Sequence, residues 1–205
     1  MRTVTQVQPR RHSLVALFLD GEWAADIDKE TWLRSGLRVG QTLSEDDLED
    51  LMERSQMHRA NEKALYLLEY RSHSKRELVE KIRPLYGEEA AQAAADRMEE
   101  IGLVNDEEFA RQYAQQLLER KRLAPSRAVF ELTRKGIDRE LAQELVEELC
   151  EDNPQDVIRA IVERKYARCL SDEKGLRRTV QGLQRMGYRY EDIRSVLRDW
   201  EEEWE

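Results

Sequence analysis

The chain has 205 residues, 40% apolar and 38% charged, with only nine glycines and four prolines, which favours a folded, mainly helical protein burying one core or a row of small ones. Its formal net charge of −9 argues against retention on nucleic acid by bulk attraction alone, and five acids (Asp199, Glu201, Glu202, Glu203, Glu205) crowd into the last seven residues. The longest uncharged apolar run, Leu14 to Leu19, is far too short to cross a bilayer and has no signal-peptide cleavage pattern, so a cytoplasmic protein with no membrane contact is expected.

From the N-terminus, Leu14-Val-Ala-Leu-Phe-Leu and Glu22-Trp-Ala-Ala-Asp-Ile flank Asp20-Gly21. Asp-Gly is the dipeptide that a two-residue type I′ turn selects, because both central residues need positive φ, so a β-hairpin is predicted here, joined by Thr3 to Gln8. A short helix over Lys29 to Arg34 should stop at Gly36, which tolerates the left-handed conformation. Ser44 followed by Asp47 resembles a capping box, and Leu48, Leu51 and Met52 at helical spacing predict a helix leading toward residue 60.

Beyond residue 60 the pattern is helical and repeats. Arg76-Glu-Leu-Val-Glu-Lys-Ile-Arg, Arg127-Ala-Val-Phe-Glu-Leu-Thr-Arg and Arg178-Thr-Val-Gln-Gly-Leu-Gln-Arg begin 51 residues apart, with Gly136 and Gly187 in equivalent places where one helix ends before the next. Ser74 with Glu77, Asn105 with Glu108, and Asn153-Pro154 with Asp156 mark helix starts. Apolar stripes define the third helices: Ala91, Ala94, Ala95, Met98; Leu141, Leu145, Val146, Leu149; Ile193, Val196, Leu197, Trp200. The expected fold is mainly α: three tandem three-helix repeats in an elongated curved array, preceded by a small N-terminal β-hairpin region. The expected divisions are 1–59 for the hairpin and lead-in helix, 60–104 and 105–152 for repeats 1 and 2, and 153–205 for repeat 3 with its acidic tail.

Catalytic chemistry is not expected. No phosphate-binding glycine loop, nucleophile elbow or helical His-x-x-x-His occurs, and His12, His58 and His73 are scattered. Pairs such as Glu99-Glu100 and Glu147-Glu148 read as solvated helix faces. Cys150 and Cys169 lack metal or redox spacing and are expected to be reduced and half-buried, so neither a metal nor a cofactor is expected. Tyr66, Tyr70, Tyr113, Tyr166, Trp200 and Trp204 sit among apolar neighbours and read as core.

Charge, by contrast, is segregated. Residues 71–83 hold five bases against two acids, 119–135 six against two, and 159–178 seven against three, whereas 88–108 and 138–156 each hold one base against eight acids. Equivalent positions of a repeat line up, so Arg71, Lys75, Arg76, then Arg120, Lys121, Arg122, Arg127, then Arg168, Lys174, Arg177 and Arg178 are candidates for one partner- or DNA-binding stripe. The competing reading is that opposite charges on adjacent helices pair for solubility.

Three stretches resemble the bacterial RecX family of recombinase regulators: Gly102-Leu-Val-Asn-Asp-Glu-Glu-Phe-Ala110, Arg71-Ser-His-Ser-Lys-Arg-Glu-Leu78 and Arg134-Lys-Gly-Ile137. The Asp20-Gly21 hairpin is similar to an N-terminal extension of some members. Ala124 before Pro125 departs from the family, which often has glycine there, and this bears on the local turn. Within the first stretch Gly102 should end a helix, Asn105 or Asp106 cap the next, and Phe109 insert between them. The resemblance implies a non-enzymatic monomer that binds the RecA filament on DNA, lies in its groove and lowers its ATPase and strand exchange, affecting homologous recombination, repair and the SOS response. A helical-repeat protein that binds single- or double-stranded DNA without a recombinase partner is the alternative. A third reading is an enzyme with a site assembled from separated carboxylates.

Overall fold

The computed structural model describes residues 1–150, 153–170 and 172–201, the last three by backbone only. The chain divides into two compact units, Met1–Asn105 and Asp106–Glu205.

The first unit begins with strands β1 (Arg2–Pro9), β2 (Leu14–Leu19) and β3 (Glu22–Asp28), helix α1 (Lys29–Ser35) and the short strand β4 (Thr42–Leu43). The predicted hairpin is β2–β3, and its turn residues Asp20 and Gly21 have φ of 52° and 89°, as the turn type requires. β1 pairs with β2 and β4, giving an antiparallel sheet in the order β3-β2-β1-β4. Asp28 caps α1 by accepting from the amides of Glu30 and Thr31 at 2.9 and 3.0 Å, and the helix ends at left-handed Gly36.

Helix α2 (Glu45–Tyr70) opens on the predicted box: Ser44 Oγ accepts from the Asp47 amide and Asp47 accepts from the Ser44 amide. It runs unbroken through residue 60, where the sequence pattern changes. The reason lies in its two partners. Leu48 and Leu51 complete the sheet core with Val4, Leu17, Leu19 and Ile27, and buried Ser55 accepts from the Asp28 amide at 2.6 Å. One or two turns later, Ala60 and Ala64 join the first helical core with Leu78, Ile82, Ala91, Ala94 and Met98. Helix α3 (Lys75–Glu100) is broken at Gly87 (φ 82°), so the first repeat still has three helical segments. Because α2 is shared, a chain starting near residue 60 keeps only its second half and loses the capping box. Such a truncation is expected to unfold repeat 1 at lower temperature than one starting at Ser44. Equal melting of the two truncations, followed by helical circular dichroism, would contradict this.

In the second unit, α4 (Asp106–Gln115) runs into a π-helical turn (Gln116–Arg120), followed by α5 (Pro125–Arg134) and α6 (Arg139–Leu149). Repeat 3 has the same plan. Helix α7 (Pro154–Ile161) runs into a second π-helical turn (Val162–Tyr166) and a 3-10 turn (Ala167–Cys169), then α8 (Glu173–Arg185) and α9 (Tyr190–Glu201). Each repeat has its own core. Phe109, Leu117, Leu132, Leu145 and Val146 fill repeat 2, and Ile158, Val162, Leu183, Ile193 and Val196 fill repeat 3. Phe109 therefore packs inside repeat 2 and stacks on Tyr113 at 5.7 Å between centroids. Left-handed Gly102, Gly136 and Gly187 end helices at their predicted places. The second and third repeats touch where the amide of Ala124 donates to the carbonyl of Met186 at 2.9 Å and the Tyr188 hydroxyl donates to the carbonyl of Arg122 at 2.8 Å.

Several expectations change. Tyr66 and Tyr70 are 49% and 71% exposed and not core: they lie on the outer face of α2, edge to face at 5.0 Å, with their hydroxyls 3.1 Å apart. Tyr113 and Tyr166 are half-buried against their repeat cores. Cys169 is exposed because the 3-10 turn directs it outward, while Cys150 is half-buried. Ala124 has ordinary extended angles at the start of α5, and the left-handed residue of that turn is Arg122 (φ 54°), so the turn needs no glycine at 124. The side chain of Trp200, Trp204 and the acidic end lie outside the described residues.

Candidate partner-binding surface

Each candidate base sits where the first helix of a repeat meets the second, but their surroundings differ. In repeat 1 all three are engaged by carboxylates. Arg71 reaches Glu77 at 2.7 and 3.0 Å, against a Glu77 side chain that is itself buried. Lys75 bridges Asp96 at 2.7 Å and Glu99 at 2.5 Å, and these two acceptors hold its ammonium charged well above the ordinary lysine range. Arg76 pairs with Glu80 one turn on at 3.0 Å. In this repeat the pairing of acidic and basic helices is an internal ion network.

Repeats 2 and 3 hold their bases differently. Lys121 lies over the Tyr113 ring at 5.4 Å, and Arg127 pairs with Glu131 at 2.6 Å while lying over Phe130 at 4.9 Å. Arg122 contributes its carbonyl to the contact with Tyr188. Arg177 pairs with Glu173 at 2.7 Å. Arg120, Arg168, Lys174 and Arg178 are exposed and make no ion pair with a carboxylate among the described residues. The two π turns lie beside these bases. One extra residue in a helical turn rotates the succeeding side chains by about 100° about the axis. Buried Leu117 and Val162 thus stay in the cores while Arg120, Arg164 and Lys165 turn outward.

The histidines do not assemble a catalytic group. His73 is buried, with Nδ1 2.9 Å from the Arg71 carbonyl, and burial pushes its pKa below the ordinary range. His58 lies 3.5 Å from Asp28, which caps α1, and 3.4 Å from Glu30. No group of three metal-ligating side chains occurs among the described residues, and no described helix is long and apolar enough to cross a membrane. A small cleft of about 230 Å³ between repeats 2 and 3 is lined by Leu118, Leu123, Leu149 and Tyr188 together with the charged Glu119 and Arg122.

One surface side chain outside the candidate stripe is Phe130. The ring is 48% exposed on α5 and bracketed by Arg127 and Arg134, with centroid distances of 4.9 and 5.9 Å. The signal was in the spacing: Arg127, Phe130, Glu131 and Arg134 fall at i, i+3, i+4 and i+7, placing an aromatic on a charged face.

Comparison with known proteins converges on one group. A family model described as RecX, second three-helix domain, matches residues 105–146, which lie within repeat 2. The regulatory protein RecX of Clostridium beijerinckii is 27% identical over 165 residues, spanning 80% of this chain and 76% of that protein. The regulatory protein RecX of Clostridioides difficile is 25% identical over 197 residues, spanning 95% and 93%. A crystal structure of a regulatory protein RecX shares the fold with a TM-score of 0.62 at 16% identity, covering 96% of this chain and 98% of the other. That of RecX from Lactobacillus salivarius gives 0.56 at 20% identity, covering 70% and 96%.

Proposed function

Because the chain belongs to the RecX family of regulatory proteins, we propose that it binds the RecA filament on DNA and lowers ATP hydrolysis and strand exchange, acting in the cytoplasm by contact and not by chemistry of its own. The observation that carries this reading is the contrast between the repeats. The junction bases of repeat 1 are consumed by internal carboxylates, whereas Arg120, Arg168, Lys174 and Arg178 are not, among the described residues. A recombinase filament on DNA offers a surface of mixed sign, which suits a molecule whose unengaged bases and acidic helices alternate.

The test is a titration of the protein into RecA on single-stranded DNA. ATP turnover is expected to fall progressively toward a plateau, and turnover unchanged across a wide concentration range would sink the proposal. The second reading, direct DNA binding without a recombinase, draws on residues 106–198, which hold nineteen bases against eighteen acids in a chain that is acidic as a whole. Tight binding to bare DNA that weakens steeply with salt, together with unaltered RecA turnover, would favour it.

A further inference from the structure

We propose that repeat 2 carries a stacking site for single-stranded nucleic acid centred on Phe130. Three observations lead there. First, Phe130 is a half-exposed phenyl ring on α5, although phenylalanine is ordinarily among the most buried residues. Second, its surroundings are organised. Glu131, itself largely covered, takes Arg127 at 2.6 Å and Arg134 at 3.3 Å, and so holds a guanidinium on either side of the ring along the helix. Third, a second ring on the same repeat is treated alike. Tyr113 has Lys121 at 5.4 Å and Lys135 at 5.9 Å from its centroid, and Lys135 comes directly after Arg134 in the chain. Four cations and two rings therefore share one repeat, with a single carboxylate between the two arginines, and Phe130 is the exposed ring while Tyr113 is half-buried and stacked on Phe109.

This arrangement fits a flexible polyanion with aromatic units better than it fits a protein surface. A protein anchor is normally one part of a wider apolar patch that excludes water around it. Among the described residues of the second unit, Phe130 and Tyr190 are the large hydrophobics left exposed, so Phe130 has no such surround. A nucleobase needs only one ring face, and the flanking guanidiniums and ammoniums meet the phosphates on either side. Every base has a π face, so the site should bind without strong sequence preference. Bases in a duplex are already stacked, which restricts the ligand to single strands. The inference rests on the proposed function only in taking DNA as the polymer, and its test contains no recombinase.

The experiment is fluorescence anisotropy of labelled oligo(dT) with the full chain over a range of salt concentrations. Phe130→Ala is expected to weaken binding about tenfold with an unchanged salt slope, since stacking releases no counterions. Phe130→Trp should restore it. Arg127→Gln with Arg134→Gln should lower the slope by about 1.4, near 0.7 for each phosphate of a single strand that is no longer neutralised. A half-exposed side chain leaves the core intact, so melting of the Phe130 variants by circular dichroism should match the parent. The inference is overturned if the parent fails to bind oligo(dT), if Phe130→Ala binds as the parent does, or if Phe130→Trp fails to rescue. A parent that binds oligo(dT) through Phe130 yet leaves RecA turnover untouched would retire the proposed function and leave this site standing. Inhibition of RecA that survives Phe130→Ala together with unchanged oligo(dT) binding would do the reverse.

Discussion

Replacing Gly187 by alanine is expected to destabilise the second unit by about 3 kcal/mol. Two costs combine. Gly187 has φ of 95°, where a Cβ is strained by roughly 1 kcal/mol or more. In addition, that Cβ would stand 2.5 Å from the Cβ of Arg127 and 3.3 Å from that of Ala124. Neither atom can swing aside, because each is attached directly to the backbone. Ala124 is also held by its amide bond to the Met186 carbonyl, so relief must open the contact between repeats 2 and 3. Gly102 is the control. It too is left-handed (φ 75°), but nothing lies within 4 Å of its added Cβ, so Gly102→Ala should cost only the strain, about 1 kcal/mol. Urea unfolding monitored by circular dichroism compares the two directly, and equal costs would show that the junction yields more easily than its geometry requires.

The second large effect is functional. Reversing Arg120, Arg168, Lys174 and Arg178 to Glu should weaken binding to a RecA-coated single strand by at least about tenfold, with a reduced salt dependence and a melting temperature within a degree or two of the parent. Exposed charges without carboxylate partners contribute little to folding, and their reversal places like charge against the polyanion. Reversing Arg71, Lys75 and Arg76 should give the opposite profile. Lys75→Glu would set three carboxylates together with Asp96 and Glu99, and Arg71→Glu would strand the buried Glu77, so stability falls while binding changes less. If both sets lowered affinity equally at constant stability, the distinction between engaged and unengaged bases would carry no functional weight.

The features legible in the chain without its fold are local in origin. The Asp20-Gly21 turn, the stop at Gly36, the Ser44–Asp47 box, the cap at Asn153 and the glycine turns at 102, 136 and 187 all depend on residues within four positions of one another. The repeat was equally legible, because the buried stripes of the third helices recur at helical spacing and each is stabilised by burial in its own core. Packing between distant segments settles the rest. That α2 continues across residue 60 depends on Leu51 finding the sheet and Ala64 finding α3, contacts made far along the chain. The same holds for the charges. Arg71, Lys75 and Arg76 look like Arg120, Arg168 and Arg178 in sequence, and only the approach of Asp96 and Glu99, more than twenty residues beyond Lys75, draws Lys75 into an internal network. Tyr70 reads as core from its spacing and is instead exposed, as is Phe130. An aromatic at helical spacing is buried or exposed according to whether another element covers that face, and such coverage is a property of packing that no local run of residues encodes.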